Sequence, residues 1–170
     1  MKIPPRRALL QPLPIAALVL AGAAATLAGA WTFQSLGVAP CELCLKQRIP
    51  YYAALPLTAA ATVLARMGRL AAARVLLALL AAIFAGGALI GAYHAGVEWK
   101  FWPGPTDCTG AFVKPASMEE FQRQLRTMRV VRCDEASLRI LGLSLAGWNV
   151  LVSAGLALLA GIGAASAKRG

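Results

Sequence analysis

Four stretches of this chain lack charged side chains for long enough to cross a lipid bilayer, which constrains the fold more than any other feature. The uncharged runs are Ala8–Cys41, Ile49–Ala65, Val75–Val97 and Ile140–Ala167. Their apolar bodies lie at about 13–36, 49–65, 75–97 and 142–165, each reaching the roughly 17–25 residues that a helix needs to span the membrane. The second is the shortest and contains Pro56. With 59% of the 170 residues hydrophobic and 14% charged, the chain is too apolar for an ordinary soluble domain. The expected fold class is all-α: one integral membrane domain, a four-helix transmembrane bundle.

The charges set an orientation. Lys2, Arg6 and Arg7 precede the first span, Arg66, Arg69 and Arg74 join the second to the third, and Lys168 and Arg169 end the chain. Those segments hold no acidic residue. Glu42, Glu98, Asp107, Glu119, Glu120, Asp134 and Glu135 all fall in the other two connections, about 37–48 and 98–141. The positive-inside bias then predicts both termini in the cytoplasm and both acidic loops outside. The net charge of +10 is mostly this topology signal. Nucleic-acid binding is not expected, because no basic, aromatic-interleaved soluble surface is left to carry it. The basic start and the apolar run ending in Ala28-Gly29-Ala30 also fit a cleaved signal peptide. The run is long for that, and it is read as an uncleaved span.

The spans are rich in small residues, and Gly22, Gly86, Gly87 and Gly91 are expected to let helices approach closely. In the first outer loop Pro40 precedes Cys41, and Pro50 suits the first turn of the second span. The second outer loop opens with Trp99, Phe101, Trp102, Pro103, Gly104 and Pro105, which predicts an irregular segment with aromatics at the interface. Ser117-Met118-Glu119-Glu120 then resembles a capping box. Phe121, Leu125 and Met128 follow at helical spacing with Arg123, Arg126 and Arg129 elsewhere, predicting a short amphipathic helix that ends before Cys133.

All four cysteines lie in the outer loops: Cys41 and Cys44 as Cys-Glu-Leu-Cys, Cys108 and Cys133 in the long second loop. Redox-active pairs often use an x-x spacing that structural disulfides rarely need. Thiol–disulfide exchange requires a thiolate to attack a disulfide sulfur in line, so the two pairs would have to approach one another. Arg48, four residues after Cys44, shares its face if the helix starts early, and would favour a thiolate at Cys44. Electrons delivered to Cys41–Cys44 at the bilayer boundary have one evident sink, a lipid-soluble two-electron acceptor such as a quinone. Competing readings are two inert structural disulfides or a zinc site, although only one pair has ligand spacing. Haem attachment would need His directly after the motif, where Leu45 stands.

Pro40-Cys41-Glu42-Leu43-Cys44 with Gln47-Arg48 and Tyr51-Tyr52 resembles the quinone-reducing motif of the disulfide bond formation protein B (DsbB) family. Tyr93-His94-Ala95-Gly96 through Trp102-Pro103-Gly104-Pro105 to Cys108 resembles the start of that family's second periplasmic loop. The resemblance covers essentially the whole chain. It implies a thiol:quinone oxidoreductase of the bacterial inner membrane with its cysteine loops in the periplasm. A reduced thioredoxin-fold oxidase (DsbA-like) would attack a Cys108–Cys133 disulfide, most readily at Cys108, and Cys133 would then engage Cys41. Cys44 would be released to meet ubiquinone or menaquinone, with Arg48 stabilising negative charge on both. The vitamin K epoxide reductase type shares the parts, but there the loop pair precedes the Cys-x-x-Cys.

Two polar residues in the spans remain. His94 reads as an interfacial hydrogen-bonding residue or as a proton carrier beside the quinone. Asn149, next to Trp148, reads as interhelical glue or as a quinone contact. The rival functions are a small membrane scaffold with two structural disulfides and a disulfide reductase running in the opposite direction.

Overall fold

The computed structural model describes residues 11–105, 117–119, 122–123 and 132–166. Among these are four long helices: α1 (Pro12–Ser35), α2 (Glu42–Arg66), α3 (Leu70–Glu98) and α4 (Leu145–Ala165). A two-residue antiparallel ladder, β1 (Arg139–Ile140) with β2 (Leu143–Ser144), leads directly into α4. The bundle closes through α3 on α4, α3 on α2, and α2 on α1.

Local chemistry sets the helix ends. Pro12 opens α1 at a position where a missing N–H costs nothing. Gly37, at φ 91°, ends it, with the Val38 N–H reaching back to the Phe33 carbonyl. Ser144 caps α4 through its Oγ, which accepts the Gly147 N–H at 3.1 Å. The β1–β2 turn uses Leu141 (φ 53°) and Gly142 (φ 84°), so the fourth helix starts at Leu145, after a hairpin that apolarity alone did not reveal.

The bundle has an apolar core, but unlike a soluble protein it is also apolar outside. Leu18, Val75, Leu89, Leu158 and Ile162 point outward, while Gln47, Thr58, His94 and Ser153 are buried inside. Apolar surface of this kind is stable against acyl chains and not against water. α1, α3 and α4 are long and apolar enough to cross a membrane, with mean hydropathy 2.0, 2.5 and 1.8. The shortest, α4, has 21 residues, or about 32 Å at 1.5 Å per residue, against about 30 Å of hydrocarbon. α2 falls outside that set because Arg48 and Arg66 bracket its uncharged stretch, which is diluted by Pro50, Tyr51, Tyr52, Pro56, Thr58 and Thr62.

Glycines set how closely α3 meets α4. A Cβ on Gly91 would stand 3.1 Å from Asn149 Nδ2 and 3.3 Å from the Val150 backbone nitrogen, so the contact needs a bare Cα. Gly87 meets Pro50 and Gly22 meets Leu156, as the small-residue reading expects, but nothing lies near Gly86.

Pro50 differs from expectation. It lies inside α2 rather than in its first turn, because the helix already begins at Glu42. The aromatic segment after α3 is partly exposed, with Tyr93 stacked on Trp102 at 6.0 Å and Trp102 Nε1 donating to the Tyr93 carbonyl. The amphipathic helix expected from Ser117 onward falls almost wholly outside the described residues.

Candidate functional site

The site begins at the first turn of α2. Cys41 is the N-cap, in extended backbone (φ −76°, ψ 172°), and its Sγ accepts the Cys44 N–H at 3.3 Å. Sulfur thus occupies the place usually filled by a Ser, Asp or Asn oxygen. One turn on, Cys44 Sγ lies 2.9 Å from Cys41 Sγ, and both are free thiols. The hydrogen bond from Cys44, then those from His94 and the helix N–H, pull the Cys41 thiol well below its ordinary range against the opposing effect of burial. The same hydrogen bond, burial and the nearby Glu98 charge push Cys44 up. In the dithiol state the negative charge therefore sits on Cys41.

That distribution differs from the expectation that Arg48 favours a thiolate at Cys44. Arg48 does share the Cys44 face, but its guanidinium donates to Gln34 Oε1 at 2.7 Å and to the Ala30 carbonyl at 3.4 Å. It ties α2 to α1 instead of touching sulfur.

Behind Cys41 runs a buried polar chain linking three helices. His94 Nε2 lies 3.5 Å from Cys41 Sγ, and Gln47 Nε2 lies 2.6 Å from His94 Nδ1. Asn149 Nδ2 donates to Gln47 Oε1 at 2.7 Å, and Tyr51 donates to Asn149 Oδ1 at 2.8 Å with Ser153 Oγ 2.7 Å away. The amide of Gln47 has one consistent orientation, since its Nε2 also faces the Leu43 carbonyl, which can only accept. Nδ1 of His94 must then accept, and Nε2 carries the ring hydrogen toward Cys41. His94 is accordingly buried against sulfur rather than interfacial.

Glu98 sits one turn after His94 at the end of α3. Its Oε1 is 3.8 Å from His94 Nε2, its side chain is 5% exposed, and its buried Oε2 has no hydrogen-bond partner. The sequence reading used Glu98 only as the charge ending a span. Its i,i+4 spacing from the single His, at a helix end, was the available signal. Gln47 and Tyr51 were noted only as parts of a motif.

Cys133 is almost fully buried and packs in one cluster with Cys41, Leu43 and Val97, with Cys44 against it. It is disulfide-bonded. Asp134 beside it accepts from Lys100, just after α3, and from Arg132 at 2.7 Å, which staples this segment to the end of the helix. The Arg132 bond, then that of Lys100, hold the Asp134 carboxyl well below the usual carboxylate range. Cys108 lies outside the described residues.

A cavity of about 300 Å³ opens beside the dithiol, at the lower end of the range for small-molecule sites. Cys41, Cys44, Arg48, His94, Glu98 and Asn149 are among its polar groups, and Leu27, Phe33, Val38 and Val152 among its apolar ones. Apolar walls, a sulfur at the edge and a few buried polar atoms fit a planar aromatic-sized ring with carbonyl oxygens. Cys41, Cys44 and His94 also lie close enough together to suggest a metal. A ligating His normally donates its other N–H outward, whereas here the Gln47 amide donates inward to Nδ1, so the network favours a proton on Nε2 over a metal.

The model of the family "Disulfide bond formation protein DsbB" matches residues 12–163. The chain belongs to the DsbB family. DsbB-family proteins are membrane-embedded disulfide oxidoreductases of disulfide bond formation, which agrees with the apolar bundle and the vicinal thiols described above. Neither the curated proteins nor the solved structures contain a match to the chain.

Proposed function

We propose that the protein oxidises a periplasmic thioredoxin-fold oxidase (DsbA-like) and reduces a membrane quinone, ubiquinone or menaquinone, in the bacterial inner membrane. The observation that carries the reading is the Cys41–Cys44 dithiol, which packs against a disulfide-bonded Cys133 on one side and lines an apolar cavity on the other. Charge asymmetry along the chain supports cytoplasmic termini and periplasmic cysteine loops.

In this reading the partner's thiolate attacks the Cys108–Cys133 disulfide at Cys108 and frees Cys133. When the 41–44 pair is in its disulfide form, Cys133 then attacks it at Cys41, forming a 41–133 disulfide and releasing Cys44. The partner's second thiolate attacks its mixed disulfide with Cys108, so that the partner leaves oxidised and Cys108 is freed. With Cys41 no longer a thiolate, the hydrogen bond that held the Cys44 proton is gone, and Cys44 is free to ionise toward the cavity. Attack by the freed Cys108 thiolate on Cys133 breaks the 41–133 disulfide, re-forms 108–133 and leaves the 41–44 pair reduced with the partner's two electrons. A bound quinone supplies a two-electron, two-proton acceptor. Arg48 and His94 bind and orient it and favour negative charge beside it, and Asn149 fixes the Gln47–His94 arm.

The test is quinone reduction by purified protein in detergent with a reduced thioredoxin-fold partner, followed as loss of quinone absorbance. Turnover should vanish in Cys44→Ser and Cys108→Ser. Absence of turnover in folded wild type with several partners and both quinones would reject the relay and favour a scaffold with structural disulfides. Electrons flowing from quinol to partner disulfide would favour the reductase.

A further inference from the structure

Arg48 is a cation at the cavity wall with no anion bound to it. A guanidinium stays charged at every working pH and offers a rigid fork of N–H donors. Among the described residues its hydrogen bonds go only to α1. Nη1 donates to Gln34 Oε1 at 2.7 Å and Nη2 to the Ala30 carbonyl at 3.4 Å, and both acceptors are neutral. Glu98 and Glu135 line the same cavity, yet Glu98 faces His94 at 3.8 Å and Glu135 faces Arg132 at 3.7 Å. Glu42, at the start of α2, pairs with Lys46 at 2.8 Å. An arginine at a membrane boundary, left to itself, extends its head toward water. Gln34 opposes that from the last turn of α1, a helix with no basic residue of its own there, so the guanidinium also meets the negative end of that helix. Gln34 is exposed, and the cavity wall passes through Ala30, Cys44 and Arg48 instead. Its route to the chemistry is therefore through Arg48.

We propose that Gln34 is a positioning residue: its neutral amide oxygen holds the Arg48 guanidinium at the cavity wall without neutralising it, which leaves the positive charge for an oxygen of the bound quinone. The inference rests on the reading of the cavity as a quinone site. A carboxylate at position 34 would hold Arg48 more tightly, because charge-assisted pairs of this geometry are the stronger ones. It would also cancel the charge offered to the ring. An apolar side chain would spare the charge and lose the hold. The amide alone reaches, accepts and stays neutral. Hold and charge thus make opposite demands on this position, and they come apart under substitution.

The test uses full-length protein in detergent micelles. Thermal unfolding is measured beside the binding of short-chain ubiquinone and menaquinone analogues by equilibrium dialysis. Gln34→Glu should unfold at the wild-type temperature or above it. The same variant should bind whichever quinone the wild type binds at least about tenfold more weakly, the scale of a hydrogen bond to a charged group. Gln34→Met, apolar and of similar length, should weaken binding with little change in stability. In an Arg48→Met background, itself weak in binding, neither change at Gln34 should weaken it further. Wild-type affinity in Gln34→Glu, or a loss that persists undiminished in the Arg48→Met background, would overturn the proposal. If Gln34→Glu does not fold, Gln34→Met in the two backgrounds decides on the same terms. Binding is read without turnover, so a wild type that binds quinone and does not reduce it refutes the relay alone. Binding that is absent, or indifferent to Arg48→Met, refutes this inference.

Discussion

Replacing Gln47 by Leu tests whether the buried chain orders the site. The change keeps helix propensity and approximate volume in α2 and removes two interhelical hydrogen bonds, at 2.6 Å to His94 and 2.7 Å from Asn149. Interhelical bonds in membrane proteins average about 0.6 kcal/mol each, which sets a floor near 1 kcal/mol. Leaving the buried Asn149 donor and the His94 acceptor unpaired sets a higher figure, since each orphan costs about 1–3 kcal/mol. The expected loss is about 1–3 kcal/mol, or roughly five- to 150-fold in the folded-to-unfolded ratio, measured by denaturing-detergent titration in mild micelles. A chemical signature should accompany it. Without the Gln47 donor the ring hydrogen of His94 is no longer held on Nε2, and the Cys41 thiolate loses part of its support. In wild type the dithiol should alkylate at Cys41 near pH 6, where an ordinary thiol is less than about 1% ionised. In Gln47→Leu that reactivity should move to higher pH. Unchanged stability together with an unchanged Cys41 profile would refute the argument that the network fixes the imidazole.

Four further outcomes are expected. Because Cys41 is acidified in the folded dithiol, its contribution to stability should be fully present above the unfolded thiol pKa of about 8.5 and should fade as pH falls toward its depressed folded value. Reduced protein should therefore lose stability on acidification more steeply than Cys41→Ser, as seen by thermal unfolding at several pH values. Gly91→Ala should cost about 1–3 kcal/mol by pushing α4 away at Asn149 and Val150, and should slow quinone turnover with it. Ser144→Ala removes the α4 cap and should cost about 1 kcal/mol without altering Cys41 alkylation. Asp134→Asn should free the Cys133 segment from Lys100 and Arg132, slowing electron transfer between the cysteine pairs while Cys41–Cys44 still reacts with quinone; transfer in wild type should weaken with salt.

The helical bundle was legible in the sequence because charge gaps mark long apolar helices, three of which are apolar enough to cross a membrane. The approach of Cys41 to Cys44 was legible because an x-x spacing puts both on one turn. What escaped was geometry across the bundle. Gln47 and His94 are 47 residues apart and Gln47 and Asn149 are 102 apart, so no local pattern links them. The start of α2 was hidden because sulfur is not a usual cap, which left Pro50 as the apparent first turn. Glu98 was read as a topology charge because a boundary position accounts for an acid without any burial. The hairpin before α4 carries no charge after Arg139, so its remaining residues merge with the uncharged run that continues into the helix.

The arrangement also explains why two helices are needed at this site. Cys41, Cys44, Arg48 and Tyr51 fall at i, i+3, i+7 and i+10 on α2 and all border the cavity, so one stripe about 15 Å long connects the Cys133 contact to the apolar interior. His94 and Glu98 follow Gly87 and Gly91 along α3, and those glycines bring Pro50 and Asn149 close enough for the α3 polar groups to reach the first turn of α2. In the proposed reading electrons pass from Cys133 through Cys41 to Cys44 at the top of α2, while α3 contributes the His94 ring nitrogen that faces Cys41. Loss of either sulfur from the α2 stripe, by Cys41→Ser or Cys44→Ser, should then stop electron transfer at every pH, whereas changes at Arg48 or Tyr51 should slow it.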